Sequence, residues 1–180
     1  MDTDDVMRAD RLELQYRQFE SDERLSICGS NIREFEGKVG HVIGHRVVPE
    51  TNEQIRSFSR RRNPFNHMAV MYKRNAVLAA GNYQTMPGFE DYYLWARMLK
   101  AGSKGFNIQE DLVSARVGLD MYARRGGLKY LWPGIRGRFY IYQAGLGNLS
   151  DFLIVSCVHI VVSLMPNNLR GWLYAKKLHS

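Results

Sequence analysis

The sequence is poor in cysteine and proline. Its 180 residues contain two cysteines, Cys28 and Cys157, and five prolines. Two cysteines are too few for the disulfide scaffold of a small secreted protein, so we expect both thiols to be free in a reducing cytoplasm. Hydrophobic residues make up 45% and charged residues 24% of the chain, which excludes wholesale disorder and collagen-like or low-complexity architectures.

Long hydrophobic runs are also scarce. The one candidate membrane segment, residues 152–165, has fourteen residues and is followed by Pro166. A helix of this length rises about 21 Å, which is short of a hydrocarbon core of about 30 Å. The segment also contains Ser156, His159 and Ser163. It therefore predicts an interfacial or partly buried helix, and a full membrane span is the less favoured interpretation.

The net charge of +7 is concentrated in the last third of the chain. Residues 1–115 contain 16 basic and 16 acidic side chains, whereas residues 116–180 contain nine and two. A basic segment of this kind attracts polyanions, so we expect it to meet phospholipid headgroups, a diphosphate or nucleic acid. Nucleic acid is the least favoured, because the basic residues are interleaved with aromatic residues typical of membrane interfaces and no groove-reading motif is present.

Hydrophobic periodicity and breaker residues predict an α/β protein. The segment after residue 120 is basic and aromatic and is predicted to be largely helical. The capping box Thr51-Asn-Glu-Gln54 marks the start of one short helix, and Gly81 and Gly102 mark the ends of two others. Predicted helices cover residues 6–19, 51–59, 73–80 and 89–100, and predicted strands cover 25–35, part of 36–48, 68–72, 106–108 and 112–117.

Two groups of carboxylates could carry chemistry. Asp2, Asp4 and Asp5 form the opening D-T-D-D, and D-x-D carboxylates at a strand end can bind a hard divalent cation. The alternative is that they cap the helix expected to start near residue 6. Glu90 and Asp91 open the helix at 89–100. An ionised carboxylate there can act as a general base, and helix capping is again the alternative.

Three basic or amide-rich segments could contact a ligand. The motif N-P-F-N-H places Asn63 and His67 between a basic turn and a predicted buried strand, where the histidine either faces a ligand or has a purely structural role. Arg60–Arg62 is most simply a solvated basic turn. Arg124 and Arg125 precede two glycines, a combination that suits either a basic turn or a cradle for phosphate oxygens.

The order of these motifs resembles that of the family 2 glycosyltransferases. The ordered set is D-T-D-D, R-L-x-x-Q at Arg11–Gln15, N-P-F-N-H, G-x-Y at Gly81–Tyr83, E-D-Y-Y-L-W at Glu90–Trp95, L-V-S-A-R at Leu112–Arg116 and M-Y-A-R-R-G-G. It is most similar to the bacterial capsule and exopolysaccharide branch, which includes amylovoran-type enzymes. The resemblance implies a GT-A, Rossmann-like fold and transfer of a sugar from a nucleotide-diphosphate donor to a hydroxyl, with inversion of the anomeric centre.

The resemblance also implies a role for each candidate residue. In the family, the D-x-D carboxylates hold a divalent metal, Mn²⁺ or Mg²⁺, that bridges the donor phosphates, and Asp2 and Asp4 match that motif with Asp5 in support. Asp91 matches the proposed general base, with Glu90 beside it. By analogy, the donor diphosphate is assigned to Arg124 and Arg125, and the acceptor side to His67 and Asn63. These roles require the opening aspartates and Glu90–Asp91 to border a single cleft.

The motif order predicts two parts of the chain. Residues 1–118 correspond to the acceptor-side and metal-binding part of a GT-A domain, and residues 119–180 to a basic, aromatic, membrane-associating helical tail. The family's nucleoside-binding half precedes the D-x-D, but here only Met1 does. We therefore expect a C-terminal portion of the enzyme, with little activity alone and a tendency to aggregate because sheet edges are left unpaired.

Resemblance to the family also predicts partners and location. The expected acceptor is a lipid-linked or other saccharide, and the expected location is the inner face of the bacterial cytoplasmic membrane, held by anionic lipid. The competing hypothesis is a catalytically inactive remnant that binds a membrane or a partner protein.

Overall fold

The computed structural model describes residues 3–118 and 127–165, which form a mixed α/β structure. The strands are β1 (Val6–Met7), β2 (Leu25–Phe35), β3 (Val42–Arg46), β4 (Met71–Tyr72) and β5 (Lys104–Arg116). The helices are α1 (Arg11–Ser21), α2 (Asn52–Phe58), α3 (Arg74–Ala79), α4 (Glu90–Lys100), α5 (Leu128–Gln143) and α6 (Leu149–Leu164), with a 3-10 turn at His67–Ala69. The predicted α/β class is confirmed.

The long strand β2 is the centre of the sheet. It pairs in parallel with β5 on one side, and on its other side it pairs antiparallel with β3 and with β4. The short strand β1 pairs antiparallel with the outer edge of β5, so the strand order is β1-β5-β2-β3. Parallel β2 and β5 end together, at Phe35 and Arg116.

Helix α4 packs its apolar side against the sheet. Leu94, Trp95, Met98 and Leu99 are buried in one cluster with Ile27 of β2. Their spacing of three and four residues places these side chains on one stripe of the helix, as an amphipathic helix on a sheet requires. This packing fixes the position of the helix on the sheet. It also fixes the first turn of the helix, which carries Glu90 and Asp91.

The R-L-x-x-Q motif joins α1 to the sheet. Gln15 is fully buried, and its Nε2 donates hydrogen bonds to the carbonyl oxygens of Cys28 (2.8 Å) and Ala69 (2.9 Å). Arg11 Nε in turn donates to Gln15 Oε1 at 3.0 Å. Buried polar groups need such partners to offset lost hydration. The contacts described for Gln15 make it a structural residue that links β2 to the 3-10 turn.

Most predicted elements are confirmed, among them β2 with its predicted bounds and α2 with its capping box. Three predictions were wrong in detail. Val6 and Met7 are not helical, because their backbone pairs with β5. The two predicted strand pieces after residue 105 are one strand, because β2 pairs along the whole of it. The expected buried strand at 68–72 is a 3-10 turn followed by the two-residue strand β4.

The two C-terminal helices, α5 and α6, form a helical hairpin against α4. Gly137 of α5 lies so close to the Phe89 ring that a Cβ there would be 2.5 Å from it. Tyr140 of α5 meets Tyr93 edge-on, with 5.8 Å between the ring centroids. In the part of the chain that the structure describes, no helix is long and apolar enough to cross a membrane.

Helix α6 buries polar side chains and exposes apolar ones. The buried residues are Asp151, Ser156, His159 and Ser163, and the exposed ones are Leu149, Leu153, Ile154, Val158, Val161 and Leu164. His159 Nε2 contacts the carbonyl oxygens of Tyr130 (3.3 Å) and Leu131 (3.2 Å). Burial and the nearby Arg138 guanidinium lower the pKa of His159, so its neutral ring donates to these carbonyls at neutral pH.

Candidate active site

A cavity of about 1210 Å³ lies between the sheet domain and the helical hairpin. One side is formed by the end of β3, the segment from Arg60 to His67, and the start of α4. The opposite side is formed by aromatic and aliphatic residues of α5 and α6, including Tyr142 and Phe152. The cavity brings together four predicted site residues, Asn63, His67, Glu90 and Asp91.

Asp91 is the best-positioned carboxylate of the cavity. Asn63 Nδ2 donates to Asp91 Oδ2 at 2.8 Å, and the backbone N–H of Tyr92 donates to Oδ1 at 2.7 Å. His67 Nδ1 lies 3.9 Å from the same Oδ2. The Asp91 side chain is 25% exposed, so it is oriented by these contacts and still reachable from the cavity. A carboxylate in this setting can accept a proton from a bound hydroxyl.

The N-P-F-N-H segment is fixed by Asn66, a residue that sequence reasoning did not single out. Asn66 is buried, and its Nδ2 donates to the carbonyl oxygens of Ser30 (3.0 Å) and Arg46 (3.3 Å). Phe65 packs edge-on against Trp95 with ring centroids 6.0 Å apart. These contacts fix the segment on β2, β3 and α4, and so hold Asn63 and His67 toward Asp91.

Tyr83, from the G-x-Y motif, also lines the cavity. Burial raises the pKa of its phenol to about 12, and the Tyr72 phenol and the Asp91 carboxylate act in the same direction. Its hydroxyl is therefore protonated at neutral pH and can donate a hydrogen bond to a ligand in the cavity.

Arginine residues give the cavity its positive charge. Five line it, namely Arg46, Arg60, Arg61, Arg62 and Arg138, and we call this set the arginine wall. Arg60 and Arg61 both bind the buried Asp151 of α6, with Nη2–Oδ2 and Nε–Oδ1 distances of 2.7 Å. This pairing joins residues about ninety positions apart, so no local sequence signal could have revealed it.

Asp151 fastens the helical hairpin to the sheet domain. Burial acts to raise the pKa of its carboxyl, but hydrogen bonds from the Asn148 N–H, Arg61 and Arg60 outweigh it and hold the pKa below its ordinary value. Its own N–H donates to Asn148 Oδ1 at 2.9 Å, which completes a capping box at the start of α6. The same carboxylate therefore caps the helix and binds both arginines.

Asp4 and Asp5 lie away from this cavity, beside Arg116 at the end of β5. The backbone N–H of Arg116 donates to Asp5 Oδ1 at 3.1 Å, and Arg116 Nε lies 3.8 Å from Asp4 Oδ2. Neither carboxylate lines the cavity. Three strand spacings, roughly 14 Å, separate β1 from β3 at the cavity's edge. Asp4 and Asp5 are therefore not part of this cavity. Asp2 and residues 119–126 lie outside the described residues, so the expectation that the two acidic groups border a single cleft stays a prediction.

Three predicted site residues, Asp2, Arg124 and Arg125, lie outside the described residues. Among residues 3–118 and 127–165, no group of three or more histidine, cysteine or acidic side chains is placed to hold a metal ion. The metal-binding and donor-binding assignments therefore stay predictions.

Comparison with known proteins identifies the class of relatives. The chain is 35% identical over 175 residues to the UDP-Gal:alpha-D-GlcNAc-diphosphoundecaprenol beta-1,3-galactosyltransferase of Escherichia coli, an alignment that covers 97% of the chain and 63% of that protein. It is also 35% identical to an uncharacterized glycosyltransferase of Haemophilus influenzae, covering 97% and 64% of the two chains. The chain is similar to bacterial glycosyltransferases.

A third similar protein is also a bacterial glycosyltransferase. It is the amylovoran biosynthesis glycosyltransferase of Erwinia amylovora, with 31% identity over 98% of the chain and 65% of that protein. No family model matches the chain. These similarities confirm the resemblance to glycosyltransferases that the motif order predicted. The chain spans 63 to 65% of the length of these three relatives.

Proposed function

We propose that the chain is the acceptor-side and metal-binding part of a family 2 glycosyltransferase with a GT-A fold. It acts in cell-surface polysaccharide synthesis, with a nucleotide-diphosphate sugar as donor and a lipid-linked saccharide as acceptor. The observation that carries this proposal is the oriented Asp91 carboxylate, which faces a large cavity between the sheet domain and the hairpin. The acceptor named for the Escherichia coli relative supports the choice of a lipid-linked sugar.

Asp91 acts as the general base. Asn63 holds the carboxylate and His67 lies beside it, and both border the acceptor hydroxyl. As the hydroxyl oxygen forms its bond to the anomeric carbon of the donor sugar, its proton passes to Asp91. The bond from the anomeric carbon to the diphosphate oxygen breaks, and the nucleoside diphosphate leaves with the electron pair. Attack opposite to the leaving group inverts the anomeric centre.

Asp4 and Asp5 fit the proposed divalent metal in their chemistry, because carboxylate oxygens are the ligands that Mg²⁺ and Mn²⁺ prefer. A metal bound there would neutralise charge on the departing diphosphate. Arg116 contacts both carboxylates in the structure and would compete for them. In this proposal Asp2 would be a further protein ligand of the metal, and Arg124 and Arg125 would hold the donor diphosphate.

Helix α6 supports association with the inner membrane surface. Its exposed side carries Leu153 and Val158, at 50% and 59% exposure, while its polar side chains are buried. In α5, Trp132 is 68% exposed, and an aromatic side chain of this kind favours the membrane interface. The chain's basic last third adds attraction to anionic lipid of about 1 kcal/mol per basic residue near the surface. We therefore place the hairpin on anionic lipid, with its apolar side against the bilayer.

Substituting Asp91 tests the catalytic proposal. Asp91→Asn keeps the shape of the side chain and removes the base, so transfer of labelled sugar to lipid-linked acceptor should fall by about a hundredfold or more. The assay uses bacterial membranes that contain the protein together with the family's nucleoside-binding half, because we expect the chain to have little activity alone. Thermal unfolding is the check on folding. Glu20→Gln, which replaces an exposed carboxylate of α1, is the matched control and should retain full activity.

Two results would overturn the proposal. Transfer that is unchanged in Asp91→Asn would remove Asp91 as the base. Absence of transfer with every nucleotide sugar even when the nucleoside-binding half is present, together with retained membrane binding, would favour the competing hypothesis of a non-catalytic binding module.

Sedimentation with vesicles tests the membrane proposal. Leu153→Ser combined with Val158→Ser should abolish most binding to phosphatidylglycerol vesicles, whereas Leu12→Ser, at an exposed position of α1, should not. Phosphatidylcholine vesicles should bind the unsubstituted protein weakly because they lack negative charge. Equal binding to both lipids, or no effect of the double substitution, would contradict this placement.

A further inference from the structure

The arginine wall contains more positive charge than its neighbours balance. Five arginines line the cavity, and Glu90 and Asp91 are the acidic residues among its lining. Asp151 behind Arg60 and Arg61 compensates one of their two charges. Arg46 Nε lies 4.0 Å from Glu34, which is a distant contact. In the described residues, no carboxylate forms an ion pair with Arg62 or Arg138.

Arg138 is held in place inside the protein even though it lacks an acidic partner there. Its side chain is half-buried, its Nη1 donates to the carbonyl oxygen of Gly134 at 2.8 Å, and its guanidinium lies 5.5 Å from the centroid of the Phe89 ring. Phe89 immediately precedes α4, so Arg138 is positioned near the turn that carries Asp91. Burial lowers the pKa of Arg138, which reflects the cost of placing a cation there. An anion in the cavity would offset that cost.

The cavity is cationic on one side and apolar on the other. Opposite the arginines of the loop, Phe152 stacks on Tyr142 with ring centroids 5.7 Å apart, and Val155 also lines the cavity. The exposed apolar side of α6 begins at the neighbouring Leu153 and Ile154. A ligand that fits the arginines, the apolar side of the cavity and the exposed side of α6 carries concentrated negative charge next to a long apolar chain.

We infer that the cavity binds the diphosphate of a lipid-linked acceptor through Arg62 and Arg138, with its apolar chain leaving along α6. This inference rests on the proposed function and identifies residues that recognise its acceptor. Guanidinium groups suit this task because they donate paired hydrogen bonds to phosphate oxygens and do not lose their charge. The paired Arg60 and Arg61 fix the loop that presents Arg62, and the sugar on the diphosphate then reaches Asp91.

Binding of defined diphosphates to the purified chain tests this site. The probes are farnesyl diphosphate, inorganic pyrophosphate, farnesol and UDP. Binding of each probe is measured by tryptophan fluorescence, with EDTA present so that no metal ion links the probe to the protein. Farnesyl diphosphate should bind more tightly than pyrophosphate or farnesol, because it carries both a diphosphate and an apolar chain. Arg62→Gln and Arg138→Gln should each weaken its binding by about tenfold. UDP is the probe for a donor diphosphate, as opposed to a lipid-linked diphosphate. The affinity of the protein for UDP should change by less than about twofold in either arginine variant.

Arg24→Gln is the matched control, since Arg24 has an 86% exposed side chain outside the cavity, and it should leave every affinity unchanged. Arg62 is exposed, so its substitution tests the site even if Arg138→Gln impairs folding. Unchanged binding of farnesyl diphosphate in Arg62→Gln would overturn the inference, as would no binding by the unsubstituted chain. If the arginine variants lost binding of UDP and kept binding of farnesyl diphosphate, the arginine wall would be assigned to the donor diphosphate.

The two proposals can fail separately. Binding of farnesyl diphosphate that depends on Arg62, in a protein that transfers no sugar, would keep the site and refute the proposed function. Sugar transfer that survives Arg62→Gln and Arg138→Gln with unchanged acceptor KM would refute the site and leave the function standing.

Discussion

Helix α4 of the sheet domain and helix α6 of the hairpin bury opposite kinds of side chain. Helix α4 places Leu94, Trp95 and Leu99 against the sheet and leaves Lys100 exposed. Helix α6 instead buries Asp151 and His159 and leaves a row of leucine, isoleucine and valine exposed. Helix α4 is therefore held by apolar contact, whereas the inner side of α6 is held by hydrogen bonds and ion pairs. Between them, α5 packs Ile141 against Tyr92 and Ala96 of α4.

The difference shows how one chain can keep an apolar surface free. An apolar stripe normally provides the burial that fixes a helix in a soluble protein. In α6, directional contacts of Asp151 with Arg60 and Arg61, and of His159 with backbone carbonyls, supply the attachment instead. The apolar side is then available to meet lipid, and the cavity lies where the two kinds of packing meet.

The largest expected effect comes from one substitution made in both regions. Leu99→Ala in α4 removes a fully buried side chain and should lower the free energy of unfolding by about 2–5 kcal/mol. Leu153→Ala in α6 removes the same atoms from a side chain that is 50% exposed. It should change the free energy of unfolding by less than about 0.5 kcal/mol. Urea unfolding measures both. Equal losses would show that the outer side of α6 is covered in solution and would break the comparison.

A smaller effect is expected where the two helices of the hairpin touch. A Cβ at Gly134 would lie 1.9 Å from His159 Nε2, so Gly134→Ala should force the helices apart and cost about 1–3 kcal/mol. Helix propensity alone predicts the opposite sign, a gain of up to about 1 kcal/mol. Limited proteolysis should then cleave α5 or α6 before the sheet domain. Gly40→Ala, where no atom lies within 4 Å, is the control, and a stabilised Gly134→Ala protein would contradict the described contact.

The smallest effect concerns the attachment through Asp151. Asp151→Asn keeps the side chain's shape but weakens its hydrogen bonds to Arg60 and Arg61, at a cost of about 1–2 kcal/mol at neutral pH. Because the folded pKa of Asp151 lies below its ordinary value of 3.8, its stabilisation is complete above that value and is lost as the pH falls through the folded pKa. The unfolding free energy of Asp151→Asn should therefore decrease less on acidification from pH 5 to pH 3. The control is Glu20→Gln, and a parallel decrease in the Asp151→Asn protein would contradict the ion pair.

Much of the sheet domain could be predicted from local sequence. The bounds of β2, the capping box of α2 and the apolar stripe of α4 follow from alternation, capping chemistry and helical spacing. The prediction failed at Val6 and Met7, where pairing with β5 overrides the helical pattern of the residues that follow. Pairing partners distant in sequence leave no local signal, so edge strands of two residues cannot be found this way.

The sequence by itself determined most of the secondary structure of the sheet domain, the concentration of charge in the last third, and the position of Glu90 and Asp91 at a helix start. Each follows from interactions within a few residues, or from composition. Only the tertiary structure decided that Asn63 and His67 meet Asp91, that Asp151 binds Arg60 and Arg61, and which side of α6 is buried. These contacts join residues 24 to 91 positions apart. They are neighbours in space because the sheet and its helices pack around a common core.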